Sequence, residues 1–288
     1  MRGLAWAAFG LLLAANYFPT LKWMLERWDE PASYMAHGWL IPPIAAFLIW
    51  QRRSELRALP RGPGQSTAWG AALMAFSLLI NLIAGLADVS SISGLTLVGV
   101  LFGFVLLLEG KALARVVWFP VLFLAFMIPP PEFVISSLNF SLKLTAADLA
   151  TGLLNLVGLP AIRQGSFMIF GDDKLAVGDV CSGLRSLLAL LDLGVLYAYL
   201  VRQGGRVRVI AVLAMSVPAA IVGNGLRIFL VSCLVMALGQ AAVFKPRIGD
   251  WDLHLFTGAL IFLAAFACLH LAAWAADRLV PAGRKDAA

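Results

Sequence analysis

The 288-residue chain is 61% hydrophobic and only 13% charged, with a formal net charge of +6. A soluble domain carries about 45–50% apolar and about 25% charged residues, so this composition excludes a water-soluble globular protein and requires a lipid bilayer around the chain. The basic residues fall in short clusters between apolar runs, the pattern of loop charges that orient a membrane protein, and no domain-sized polar segment remains to bind nucleic acid.

In chain order, the first apolar run, Leu4–Tyr17, follows Arg2. It resembles a signal-peptide core, but no small-residue cleavage site follows, which makes it an uncleaved first span. Further runs at Gly38–Trp50, Thr67–Leu86, Ile92–Leu108, Val116–Ile128, Leu184–Leu200, Val209–Gly223 and Leu255–Ala275 bring the expectation to about eight transmembrane helices. Segment 209–239 reads either as one span with an interfacial helix or as two spans. Basic clusters follow every even-numbered span: Arg52, Arg53, Arg57 and Arg61, then Lys111 and Arg115, then Arg202, Arg206 and Arg208, then Arg278, Arg284 and Lys285. By the positive-inside rule both termini are cytoplasmic. The fold class is therefore an all-α polytopic membrane protein, read as a single domain over 1–288 with no additional soluble domain. Trp28, Trp39, Trp118 and Trp251 fit interfacial aromatic belts.

The longest external segment runs from 129 to 180. Pro129, Pro130 and Pro131 stop one helix, and Phe133–Val157, with polar residues interleaved among Leu and Ala, predicts an amphipathic helix. The alternation after Ala161 predicts a short hairpin turning at Gly171-Asp172-Asp173, which delivers the chain to Cys181.

Under this topology three reactive side chains reach the outer face: Cys181 at the start of span six, Arg227 just past the outer end of span seven, and His254 at the start of span eight. A thiol at a helix N-terminus is favoured as thiolate by the helix dipole and by nearby cations. Arg185, four residues on, shares its helical face. An imidazole can move the thiol proton to a leaving amine, and a guanidinium can stabilise an oxyanion. Each residue also has a plain structural reading: a cysteine packed at a helix start, arginines snorkelling to the interface, a hydrogen-bonded histidine. His37, at the outer start of span two, is a further candidate for the site. His270 lies about 24 Å deeper than His254 along span eight, and Asp192 about 16 Å inside from Cys181, at 1.5 Å per residue. Asp192 is an intramembrane carboxylate that a polar group such as Asn81 could stabilise. Cys233 and Cys268 lie in apolar surroundings, and no cysteine spacing suggests a metal or a cofactor.

Three blocks carry a family resemblance: Cys-Ser-Gly-Leu-Arg-Ser-Leu at 181–187, Asn-Gly-Leu-Arg-Ile at 224–228 and His-Leu-Phe-Thr-Gly at 254–258. They resemble the signature blocks of the exosortase/archaeosortase family of multi-pass membrane cysteine transpeptidases. Ala-His-Gly-Trp-Leu-Ile-Pro at 36–42, Phe-Met-Ile-Pro at 126–129 and Leu-Pro-Ala-Ile-Arg-Gln-Gly at 159–165 match in order as well. Asp179 departs from the pattern, standing where members often carry Glu, and Asp192 falls inside the span that follows. The resemblance implies Cys181, Arg227 and His254 as catalytic residues; Arg185, Asp179, His37 and Asn224 are candidates for supporting roles, and no cofactor or metal is expected. It implies as partners secreted proteins with a C-terminal sorting tail, namely a short motif such as Pro-Glu-Pro, one membrane helix and a basic end. It further implies an unidentified acceptor nucleophile and a place in the cytoplasmic (inner) membrane with the site on its outer face. A polytopic transporter or lipid flippase is the alternative from the residues alone. It would call for internal repeats and helices interrupted at the midplane, and no repeat is evident between the halves of the chain.

Overall fold

In a computed structural model, residues 2–30, 34–59, 67–170, 173–176, 184–244 and 253–279 are described. The chain divides into two compact units, Met1–Glu132 and Phe133–Ala288.

The first unit is entirely helical among the described residues. Helix α1 (Arg2–Asn16) meets α2 (Phe18–Asp29) at a bend of 68°. Pro19 in the first turn of α2 suits a helix start, because its missing N–H is one that no helical carbonyl would receive. The bend is held from inside: Tyr17 is fully buried and its hydroxyl lies 2.9 Å from Thr96 Oγ1. A 3-10 turn, Ala36–Leu40, leads into α3 (Ile41–Gln51) and the short α4 (Arg53–Ala58). Helices α5 (Thr67–Leu86) and α6 (Ser90–Leu108) approach so closely that a Cβ on Gly70 would sit 2.6 Å from the backbone nitrogen of Leu107, and one on Gly103 would meet Met74 at 2.7 Å. Small residues at a crossing let helix backbones touch, which replaces the hydrophobic drive that lipid removes. Gly110, at φ 82°, turns α6 directly into α7 (Gly110–Phe123), and a 3-10 turn over Leu124–Met127 follows. Lys111 and Arg115, expected in a loop, are therefore helical residues of α7.

The second unit opens with α8 (Glu132–Leu156), the predicted amphipathic helix. Its buried residues are Ile135, Ala146, Ala147, Ala150 and Leu154, and the three alanines admit close packing. Three four-residue strands follow, β1 (Ala161–Gln164), β2 (Phe167–Phe170) and β3 (Asp173–Ala176), antiparallel in the order β1-β2-β3. The pairing Phe170↔Asp173 agrees with the predicted hairpin, and Gln164↔Phe167 marks an earlier turn at Gly165-Ser166. Side chains alternate as strand geometry requires: Ala161, Met168, Phe170 and Leu175 point into a core shared with α8, while Ile162 and Phe167 are exposed. The sheet is tied down at three points. Asn155 donates from Nδ2 to the Ala161 carbonyl (3.0 Å) and accepts from its N–H (2.8 Å), Arg163 pairs with Asp148, and Gln240 donates to the Lys174 carbonyl at 3.1 Å.

Helices α9 (Leu184–Leu200), α10 (Arg206–Leu238), the short α11 (Gln240–Phe244) and α12 (Leu253–Leu279) complete the unit. The ambiguous stretch 209–239 is one continuous helix of 33 residues, about 50 Å at 1.5 Å per residue. That exceeds a hydrocarbon core of about 30 Å. The N-terminal part of α10 packs between α9 and α12, whereas Ile228, Val231 and Val235 beyond it belong to the core with α8 and the sheet.

Among the described residues, five helices are long and apolar enough to span a bilayer, or six if α1 and α2 form one bent span. The predicted spans at Gly38–Trp50 and Leu184–Leu200 are shorter helices: α3 has 11 residues, after its 3-10 turn, and α9 has 17. Trp28, assigned to an aromatic belt, is instead buried, its indole N–H donating to the Met127 carbonyl at 2.9 Å. Trp39 and Trp118 are exposed as a belt requires, and Trp251 lies outside the described residues.

Candidate active site

The Asn-Gly-Leu-Arg block lies within α10, where the helix passes from the α9–α12 bundle to the core beneath the sheet. Arg227 does not follow the end of a helix. It is embedded in one, only 9% exposed, and Asn224, three residues earlier on the same face, is 6% exposed. A snorkelling arginine would carry its guanidinium to the interface. Here the group is folded against α12: a Cβ added to Gly258 would lie 3.0 Å from Arg227 Cζ and Nη2. The absence of a side chain at Gly258 makes the seat.

Two further glycines fix the neighbourhood. Gly225 abuts Leu149 of α8, where a Cβ would meet the leucine Cβ at 2.8 Å. Gly223 faces Ile261 and Ala265 of α12, at 3.1 and 3.9 Å from a built Cβ. Gly223-Asn224-Gly225 thus clamps α10 between α8 and α12 and sets the height of Arg227.

Arg227 and Asn224 stand at one end of a cleft between α9, α10 and α12 that holds about 280 Å³ including its open mouth. At the same end α9 contributes Ser186 and α12 contributes Gly258. Below them the lining is apolar: Gly223, Ala220 and Ala219 from α10, Leu190 from α9, and Phe262 and Ala265 from α12. The free space enclosed among these side chains is about enough for a single water.

Of the predicted site residues, Arg227 and Asn224 come together in this cleft. His254 is the second described residue of α12, one helical turn before Gly258, so α12 carries the His block and the arginine's seat on consecutive turns. Arg185 is in the first turn of α9 and exposed, in keeping with a snorkelling role, while its neighbour Ser186 lines the cleft. Cys181 and Asp179 lie outside the described residues. Three peptide units separate Cys181 from Leu184, the start of α9, a tether of at most about 11 Å at 3.8 Å per residue. His37 belongs to the other unit, half-buried beside Gly38, whose Cα is pressed so close to Trp28 that a Cβ would overlap the indole.

The remaining candidates separate cleanly. His270 accepts or donates a 2.7 Å hydrogen bond with the Tyr197 hydroxyl, and it lies about 18 Å along α12 from Gly258. Cys233 is half-buried in the core beneath the sheet, and Cys268 is exposed on α12. Asp192 is buried in α9 and does not line the cleft. Asn81, proposed as its stabiliser, accepts from Ser93 (2.6 Å) and donates to Asn16 (2.9 Å) within the first unit. Among the described residues no group of three His, Cys, Asp or Glu side chains is placed to hold a metal. Sequence reasoning missed Ser186 and the apolar floor. Ser186 stood inside a block already singled out, and the floor residues gave no signal because alanine and glycine are ordinary in any packed membrane helix.

A family model described as transmembrane exosortase matches residues 28–271, a stretch that takes in all three signature blocks. No curated protein and no solved structure matches the chain.

Proposed function

The chain belongs to the transmembrane exosortase family, and from that premise we propose that it is a membrane-embedded cysteine protease and transpeptidase, with Cys181 as nucleophile, acting on the C-terminal sorting tail of secreted proteins. The observation that carries the reading is the buried Arg227 guanidinium, seated on Gly258 at the polar rim of a cleft between α9, α10 and α12. A preorganised cation in a site of low dielectric is what a developing oxyanion needs.

The Cys181 thiolate attacks the carbonyl carbon of the peptide bond between the tail motif and its membrane helix. The carbonyl π electrons move to oxygen, and Arg227 stabilises the resulting oxyanion. As the C–N bond breaks, His254, protonated by the thiol, gives that proton to the leaving amine. The tail's helix departs with a free amino terminus, and the protein remains as a Cys181 thioester. An acceptor at the outer surface then attacks the thioester carbonyl, loses its proton to His254 and expels the thiolate, which restores the enzyme. Water in place of the acceptor gives hydrolysis. Arg185, Asp179 and Asn224 are supporting residues in this scheme, and the protein sits in the cytoplasmic (inner) membrane with the site outward.

The test is co-expression with a secreted reporter bearing a Pro-Glu-Pro motif, a membrane helix and a basic end. Wild type converts the reporter to a shortened form, whereas Cys181→Ala and Cys181→Ser accumulate the full-length form. Processing that persists in either variant rules out the thiol mechanism.

A further inference from the structure

We infer that the end of the second unit far from Arg227 binds the phosphate of an anionic phospholipid, with Arg202 and Arg208 as its donors. The inference concerns the other surface of the bilayer and does not depend on the transpeptidase reading.

Register sets the depth. Arg227 meets Gly258 at one level of the α10–α12 pair, and Arg208 forms an ion pair with Asp277 at another. The step from 208 to 227 on α10 equals the step from 258 to 277 on α12. The two contacts therefore belong to one antiparallel register, about 28 Å apart at 1.5 Å per residue. A hydrocarbon core is about 30 Å thick. With Arg227 near one surface, Arg208 lies among the headgroups of the other, which loop charge assigns to the cytoplasmic side.

The chemistry at that level calls for an anion. From Arg202 to Arg208 the chain carries three arginines and no acid, and the facing end of α12 adds Arg278 beside Asp277. The Gly205 N–H donates to the Arg202 carbonyl at 3.0 Å, which folds Arg202 against the start of α10. The Arg202 guanidinium carbon sits 3.9 Å from the centre of the Tyr199 ring, a stack that fixes its plane and leaves the edge of the fork to donate. Arg208 commits Nη2 to Asp277 and keeps a side chain 26% exposed.

Arg202 Nη1 and Arg208 Nε have no hydrogen-bond acceptor among the described residues. Arginines elsewhere are served from within the protein: Arg52 and Arg53 donate to the carbonyls of Val116 and Trp50, and Arg163 pairs with Asp148. Guanidinium donors withdrawn from water are costly to leave unmatched. At headgroup depth the acceptor at hand is a lipid phosphate, whose anionic oxygens match the guanidinium fork. Gly205, at φ +100°, brings no capping side chain to α10, and a Cβ there would meet nothing. No capping group therefore competes with the anion for the first-turn N–H groups. A zwitterionic headgroup carries a cation that these arginines repel, so the anionic class is favoured.

Native mass spectrometry of the full chain in detergent, titrated with phosphatidylglycerol or phosphatidylcholine, counts the lipids retained. Wild type retains phosphatidylglycerol at a concentration about tenfold or more below that needed for phosphatidylcholine. Arg202→Gln and Arg208→Gln each raise the phosphatidylglycerol concentration by about tenfold or more, the usual effect of losing a hydrogen bond to a charged group. Arg208→Gln also breaks the pair with Asp277, so Arg202→Gln, which leaves that pair intact, decides the matter if the first variant fails to fold. Arg53→Gln is the control, because it removes an arginine stacked on Trp50 in the first unit. It shifts the concentration by no more than about fivefold, the share of one basic residue near an anionic surface. Equal losses in Arg53→Gln and Arg202→Gln overturn the proposal, since the lipid then answers to diffuse charge alone. Equal retention of the two lipids overturns it as well. So does displacement of phosphatidylglycerol by millimolar inorganic phosphate, which would make this a site for a soluble anion.

Discussion

The two units bury polar side chains in opposite ways. In the first, buried hydroxyls satisfy one another: Thr20 with Ser93 at 2.6 Å, Tyr17 with Thr96, and Ser93 and Thr96 with Asn81. The Trp6 indole donates to Glu109 at 3.0 Å in the same manner. These are closed circuits between helices, worth roughly 0.6–2 kcal/mol per hydrogen bond in a membrane. In the second unit Arg227, Asn224 and Ser186 instead converge on the rim of a cleft. Hydroxyls paired across helices hold those helices together; polar groups that line one shared cleft mark where a substrate would be met. The first unit reads as scaffold and the second as site.

The sharpest way to break this contrast is to exchange arginine. Arg227→Ala lowers tail processing by about 10²–10³-fold, the usual effect of removing an oxyanion donor, with the protein still inserted and monodisperse in detergent. Arg227→Lys recovers little of it, because an ammonium lacks the planar fork that lies against Gly258. Full activity in Arg227→Lys would reduce the residue to a point charge and weaken the geometric argument.

A smaller effect follows from the seat itself. Gly258→Ala places a methyl 3.0 Å from the guanidinium carbon, so Arg227 shifts by a few tenths of an ångström. Misplacement of about 1 Å costs roughly 10²-fold, and a shift of this size should lower processing by about three- to tenfold. Thermal stability, followed by tryptophan fluorescence, changes little. Gly103→Ala in the first unit is the control: its Cβ would strike Met74 and the Gly70 carbonyl, which lowers stability while any surviving protein keeps its rate.

How much of this was legible beforehand depends on what each residue advertises. The membrane class, α8 and the hairpin before Cys181 follow from composition, the proline run and strand alternation, all local signals. The signature blocks at 224–228 and 254–258 were visible too. Their joining was not, because the contact between Arg227 and Gly258 depends on the height at which α10 crosses α12, which the glycines at 223 and 225 set through partners far along the chain. The apolar run at 209–239 hid the continuity of α10 for a related reason. Pro218, Gly223 and Gly225 are breakers in water, yet helix α10 carries all three without interruption. In a bilayer no solvent competes for the freed backbone groups. Thr20, Ser93 and Thr96 were unreadable as a network, since a hydroxyl in a membrane helix bonds equally well to its own backbone.

That network supplies the third prediction. Thr96→Val removes the partner of Tyr17 and one donor to Asn81, and lowers stability by roughly 0.6–2 kcal/mol. Processing by the folded fraction is unchanged. A loss of rate without loss of stability would mean that the scaffold unit takes part in the chemistry.

The smallest effect tests whether the strand sheet belongs with scaffold or with site. Gly165 opens the β1–β2 turn at φ +63°, and the space a Cβ would occupy is empty. Glycine at the first central position, followed by a residue of ordinary φ, is the pattern of a type II′ hairpin turn. The penalty for Gly165→Val is therefore conformational, about 1–2 kcal/mol for an L-residue forced into the left-handed region. Gly165→Asn, which tolerates that region better, loses less. If the sheet is scaffold, both variants change the melting temperature in that order and leave the processing rate alone. Its position in the chain allows the other outcome, because β3 ends at Ala176 and only 177–180 separate it from Cys181. A rate that falls in step with the turn's strain, in protein that remains folded, would assign the sheet a share in aiming the thiol segment and move the boundary between scaffold and site inside the second unit.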